Sequence, residues 1–420
     1  MSMKDNRMKS KLKFGLQIIG ILVGAMVIGA LLLVLVYKLP TQEMKNNVRR
    51  STAIYDYEGV YPQLMAGYKM SQLDNSTDAT MLLNATYPKG GAINDAMYVP
   101  RVEYSDRHPV GSLTDYVNDV KKENYIIVYP RYWHGYLVVL KPLLLFFDVA
   151  DIRMLNMFLL FGLITYMVCT MKVKGWDKYI PWFIVALLTL NPMTIPVSFQ
   201  FSTVSYIALL SSVIVLKYDF NKFNKRLLFF LIIGIVTSYF DFFTFPLVGL
   251  YFPMIFMFLR DKDWEKAMKT VIMGSIMWII GYAGMWTGKW LVGSILTGNN
   301  FFADALSRAS YYAADTEYTR LQIIWKNVMV LMKWPMLILA VMILGKFIKD
   351  FFIGGKVKSI NWKWCVPFGV IILAPFVWYM VAGSHSYEHY WFTYRELCVA
   401  IFAFLVGCQK IQDVTTLGGK

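Results

Sequence analysis

The chain has 420 residues, of which 57% are hydrophobic, 16% aromatic and 16% charged, where an ordinary soluble domain carries roughly 25% charged residues. That deficit excludes a soluble globular protein and points to long apolar spans in a bilayer. The net charge of +15 is not a nucleic-acid signal, because the basic residues stand in short clusters between apolar runs, as in cytoplasmic loops of membrane proteins.

Residues 1–13 are basic and read as a cytoplasmic N-terminus. Residues 14–37 form a first transmembrane helix, too long for a signal peptide and without a small-residue cleavage site after it. Residues 38–133 form a large, aromatic-rich extracytoplasmic loop that is expected to be ordered. The run 134–147, HGYLVVLKPLLLFF, is apolar but short, and Lys141-Pro142 interrupts it. It reads as a re-entrant or interfacial helix, with Lys141 reaching the headgroups. Further spans are expected near 152–171, 179–195, 203–217, 227–240, 245–259, 269–286, 327–345, 364–382 and 396–409, followed by a cytoplasmic tail, 410–420. The fold class is therefore all-α and integral to the membrane, with about ten transmembrane helices, those after 134 forming a bundle over 134–409. The segments this arrangement puts inside hold 23 basic residues, counting Lys217 and Lys269 at their borders, against Lys289, Arg308, Arg320 and Arg395 in the short outer loops from the third span onward, with Lys326 at a span border. Both termini are accordingly expected in the cytoplasm. The expected location is a bacterial plasma membrane. All four histidines, His108, His134, His385 and His389, fall on the outer side. The four cysteines lie in or beside apolar spans with no metal-ligand spacing, and read as packing residues.

Candidates for chemistry cluster on that outer side. Asp56 and Glu58 follow soon after the first span. Asp74 and Asp78 are spaced i,i+4, so a helix would set both carboxylates on one face. Such a pair suits a general base or a divalent-cation site. The same spacing also suits an N-cap, Asp74, with Asp78 in the first turn. Asn75-Ser76-Thr77 and Asn84-Ala85-Thr86 match the glycosylation sequon, which matters only in a eukaryotic secretory route. Arg131 and His134, where the loop returns to the membrane, suit a lipid phosphate. Asp241 interrupts a nearly continuous apolar stretch, where a carboxylate at membrane depth costs roughly 2.5–3.5 kcal/mol. His385 and His389, again i,i+4, could bind zinc, but the HExxH signature is absent; with Arg395 they suit a lipid phosphate or interface packing. The outer stretch Lys289–Arg320, with Asp304, Arg308, Tyr311, Tyr312, Asp315 and Glu317, has the length of a lid. Gly354-Gly355-Lys356 lacks the rest of a phosphate loop.

On these residues the layout resembles the GT-C superfamily of polyprenyl-phosphate-dependent glycosyltransferases: an inner N-terminus, one span, a large acidic outer loop, then many spans. The stretch from Trp133-His134 through Lys141-Pro142, Asp151 and Arg153-Met154-Leu155-Asn156 is similar to that family's re-entry segment, although Gly135-Tyr136 stands where a double proline is usual. The resemblance implies transfer of a sugar, with inversion, from a polyprenyl-phosphate donor to a cell-envelope glycan, lipid or protein. The family's acidic pair would map to Asp56 and Glu58 or to Asp74 and Asp78, and the donor phosphate would sit near Arg131, His134, Asp241, His385, His389 and Arg395. No cofactor is implied beyond a divalent cation, and the partners are the bilayer, the donor and the acceptor. The alternatives are a transporter or flippase, for which Lys326 and Lys333 on one helix face are the candidates, and a non-catalytic envelope-assembly subunit.

Overall fold

In the computed structural model, residues 3–88, 90–303, 305–307, 318–349 and 362–417 are described. The lid candidates Asp304, Arg308, Tyr311, Tyr312, Asp315 and Glu317, and Gly354-Gly355-Lys356, lie outside the described residues. The chain is all-α apart from one two-stranded ribbon. Lipid offers no partner to a backbone N–H or C=O, so long apolar runs close their own hydrogen bonds as helices.

Among the described residues, seven helices are long and apolar enough to cross a membrane. They lie in α1 (Met3–Tyr37), α8 (Val149–Val173), α10 (Phe199–Lys217), α11 (Phe223–Phe240), α13 (Trp264–Thr297) and the segments Trp362–Val381 and Tyr390–Ile411. Many of their apolar side chains face outward, among them Leu31, Phe158, Ile279 and Val377, as contact with lipid requires. The expected span 327–345 falls instead on α14 (Arg320–Leu331) and α15 (Trp334–Ile348), which meet at an 87° bend. The stretches 179–195 and 245–259 fall on α9 (Ile180–Leu190) and α12 (Leu247–Arg260), of 11 and 14 residues, shorter than the ~20 a crossing needs. The tightest pairing is α11 against α13. A Cβ on Gly234 would stand 2.2 Å from the Trp278 carbonyl oxygen, and one on Gly281 2.2 Å from that of Leu231. The missing side chains let the two backbones touch.

Residues 38–133 fold into a cap over one end of these helices. It holds α2 (Thr41–Arg50), α3 (Thr52–Glu58), α4 (Asn75–Thr86), α5 (Ala92–Tyr98), α6 (Pro109–Val117), and strands β1 (Arg101–Tyr104) and β2 (Asn124–Ile127) paired antiparallel. Its apolar side chains share one core with the bundle. The run 134–147 yields only α7 (Leu137–Leu144), and the chain leaving it is tied to the cap: the Asn47 side-chain amide donates to the Leu144 carbonyl, and Val149 N–H, at the start of α8, to Ser51 Oγ. Lys141, expected to snorkel to headgroups, is instead fully buried and donates to the Ala85 carbonyl of α4 at 2.6 Å.

Candidate active site

Three acidic residues of the cap, Glu58, Asp74 and Asp78, converge where α4 meets the first turns of α8 and α10. Asp74 is the N-cap of α4, accepting from Thr77 N–H and Thr77 Oγ1–H, both at 3.0 Å. Asp78 does not share its face with Asp74 as a free pair. Its carboxylate reaches across to α10 and accepts from Phe199 N–H at 3.1 Å, Gln200 N–H at 3.3 Å and the Ser198 hydroxyl at 3.3 Å. The tie has a local cause. Ser198, the N-cap of α10, makes no side-chain cap of its own, so the helix's first N–H groups and its positive dipole end are open to an anion. Neither acid is exposed as a loop position would be: Asp78 is 0% and Asp74 3% accessible. Burial pushes Asp78 up to about 7 against the pull of Arg153, and Asp74 up to about 6 against its bonds from Thr77.

Beside them lies an ion pair. Arg153, in the first turns of α8, donates to both oxygens of Glu58 at 2.8 and 3.1 Å. Asn75 closes the triad, giving an N–H to Glu58 at 2.9 Å and taking one from Arg153 at 3.3 Å. The guanidinium lies 5.3 Å from the centre of the Tyr55 ring. Buried Gln200 Oε1 has no hydrogen-bond partner among the described residues. Asp56 stands apart, exposed and accepting from the Thr114 hydroxyl of α6. In the sequence Arg153 stands out only within the re-entry segment and Asn75 only as a sequon asparagine, and Gln200 carries no signal. Arg153 carried a signal, since an arginine opening an apolar span needs a partner. Asn75 and Asn84, the two sequon asparagines, are fully buried, so the folded chain offers neither for glycosylation. Among the described residues, no group of three or more His, Cys, Asp or Glu side chains is placed to share a metal ion.

Directly beside Asp78 runs an apolar groove of about 370 Å³, walled by α4, α7, α8, α10 and α11. Met81, one turn beyond Asp78, and Phe199, whose N–H Asp78 holds, both line it. Its polar wall atoms are few. Asn156 is bound by Tyr206 Oη–H at 2.7 Å and itself donates to Ser202 Oγ at 2.7 Å. The rim residues Val139, Leu159 and Leu210 are half exposed, so the groove opens sideways among lipid-facing side chains.

The remaining candidates form a second cluster around the turn after α11. Asp241 closes that turn by accepting from Thr244 N–H and Oγ1–H. Phe242 lies 5.0 Å from the His134 ring, and Phe243 lies 4.9 Å from the His385 ring. His134 and Phe243 both hold positive φ, 56° and 65°, a strained conformation for a bulky side chain. His134 Nε2 meets the Tyr129 carbonyl at 2.9 Å; His385 Nε2 meets the Phe243 carbonyl at 2.7 Å, with His389 4.8 Å behind it, ring to ring. Gly135, where the resembling family has proline, donates its N–H to the Tyr239 carbonyl at 2.8 Å, and a Cβ there would lie 2.5 Å from the same oxygen. Proline has neither the N–H nor the room.

This geometry corrects the phosphate-binding assignment for most of the set. Burial holds His134 well below the ordinary imidazole range, and burial with His389 beside it takes His385 down to about 3. Both rings are therefore neutral at pH 7 in the folded chain, held as packing rings against backbone carbonyls. Arg395 is wholly buried, donating to the Leu190 carbonyl at 2.9 Å and Thr194 Oγ1 at 2.8 Å, with its guanidinium 4.1 Å from the Phe201 ring centre. It braces helices and does not face headgroups. Arg131 is half-buried and lies over the Tyr129 ring at 4.7 Å, while its backbone carbonyl takes the indole N–H groups of Trp286 and Trp290. No family model, no curated protein and no solved structure matches the chain.

Proposed function

We propose that the protein is a membrane-embedded transferase that moves a sugar from a polyprenyl-phosphate donor to a cell-envelope acceptor, with Asp78 as general base. The observation that carries this reading is a buried, high-pKa carboxylate one helical turn from Met81 and bonded to Phe199 N–H, both residues lining an apolar groove that opens at its side. An isoprenoid tail fits the groove by chemistry: long, flexible, apolar and delivered from the side. Its phosphate end would then lie at the Asp78–Arg153 level. A base near pH 7 is well poised to take a proton. As the acceptor hydroxyl attacks the anomeric carbon, its proton passes to Asp78 and the sugar–phosphate bond breaks. Polyprenyl phosphate leaves, with Arg153 as the nearest cation to the developing charge. Asp74 and the Glu58–Arg153–Asn75 triad hold α4 in place for that step. The reading includes about ten passes, with the cap outside and both termini inside a bacterial plasma membrane. Impermeant labelling of a single cysteine at position 175 tests that orientation, and reaction from the outside would reverse it.

The decisive experiment uses the full chain in lipid nanodiscs with a radiolabelled polyprenyl-phosphate sugar. The expected result is retained donor by native mass spectrometry and labelled acceptor product, lost in Asp78→Asn. Donor crossing the bilayer without sugar transfer would replace this reading with a flippase. Failure to retain the lipid at all would favour an assembly subunit.

A further inference from the structure

A second cavity, of about 540 Å³, lies on the cap side of the bundle away from the apolar groove, and it shares no lining residue with it. Three lysines converge on it from distant parts of the chain: Lys69 from the cap, Lys326 from α14 and Lys333 at the bend before α15. No carboxylate lines it, and none of the three lysines forms an ion pair among the described residues. Its walls are aromatic: Trp325, Tyr387 and Tyr390, with Lys326 Nζ 3.5 Å from the Tyr387 ring centre and 4.5 Å from that of Tyr390. Lys69 also donates to Gln72 Oε1 at 2.8 Å, but among the described residues no anion balances the three charges; lining one concavity they repel one another, so folding them together favours an anionic guest.

The depth of the cavity narrows the guest. If α15, fifteen residues of nearly pure apolar sequence, enters the bilayer, then α14, turned 87° from it, lies along the surface. The side chains there agree: Leu321, Trp325 and Trp334 are 78%, 64% and 76% exposed, a belt of the kind that sits at the lipid headgroups. Lys326 and Lys333 therefore do not mark a path through the bilayer. With Lys69 they mark a pocket at its surface.

We propose that this pocket binds a phosphate group at headgroup depth, the three lysines holding the phosphate and the aromatic walls holding the ring or glycerol attached to it. The site does not rest on the transferase reading and stands if that reading fails. The test uses the full chain in neutral nanodiscs and in nanodiscs containing phosphatidylglycerol, with retained lipid read by native mass spectrometry. A parallel arm titrates millimolar inorganic phosphate. Selective retention of phosphatidylglycerol, undiminished by inorganic phosphate, identifies a lipid headgroup. Displacement by inorganic phosphate identifies the same chemistry from a soluble source. Lys326→Gln with Lys333→Gln removes two cations and should weaken retention by about thirtyfold. Lys69→Gln, which leaves the aromatic contacts untouched, should weaken it by about fivefold. The double variant Lys326→Arg with Lys333→Arg should keep it. Equal retention of neutral and anionic lipid by the natural chain, or unchanged retention in both glutamine variants with melting preserved, overturns the proposal.

Discussion

The Asp78 cluster and the His134–His385 cluster are both buried, both polar and both built around a turn between helices, yet their chemistry is opposite. In the first, polar groups hold one another across three elements, and their neighbours Met81 and Phe199 line a groove that opens at its side. In the second, each imidazole has a ring nitrogen at a backbone carbonyl and its faces against aromatic rings. Burial acts on both, but it raises a carboxylate and lowers an imidazole. A raised carboxylate near 7 becomes a usable base, whereas a lowered imidazole becomes a neutral packing ring. Residue type and burial sign, more than local clustering in sequence, set which way each buried group's protonation is pushed.

The sharpest way to break that contrast is Asp78→Asn. It keeps an oxygen for the α10 N-terminus but removes the base, so transfer should fall on the order of 10³-fold, with melting little changed. The same residue sets a pH signature. The folded chain holds the Asp78 proton up to about pH 7, where the unfolded chain has already released it. Stability therefore declines as pH rises through that window, while activity rises as the base ionises. A variant series in which Asp78→Asn leaves both slopes in place would remove Asp78 from its role. Arg153→Ala comes next. It leaves Glu58 half-buried without its bidentate partner and should cost about 2–3 kcal/mol, read by chemical denaturation in detergent, with lower activity as well.

On the other side, Arg395→Ala strands the Leu190 carbonyl and empties the space against Phe201. A loss of about 2 kcal/mol is expected, with donor affinity per folded molecule unchanged. A tenfold loss of donor affinity with full stability would restore the phosphate-binding role that its burial argues against. The smallest effect is expected for His134→Phe, which keeps the aromatic contacts and loses the bond to the Tyr129 carbonyl, about 1 kcal/mol. A drop in activity with a shifted pH profile would show instead that the ring carries charge.

The long apolar helices, the ordered cap and the concentration of acids after the first span follow from composition and chain order, because burial in lipid demands helices and charge avoids the interior. The N-cap role of Asp74 was legible for a similar reason: an acid before an apolar helix finds the helix's own N–H groups within three residues. Asp78 was not legible in that way. Its partners, Ser198, Phe199 and Gln200, lie about 120 positions further along, and nothing local announces that α10 lacks its own cap. The same holds for Glu58 with Arg153, and for the burial of Arg395, whose hydrogen bonds end on Leu190 and Thr194. The meeting of Lys69 with Lys326 and Lys333 is equally remote. Local sequence determines which segments are helices and which helix ends are capped by neighbours. Only tertiary packing decides which distant groups a buried charge must find, because a charge withdrawn from water has to be satisfied by whatever the fold brings within hydrogen-bond reach.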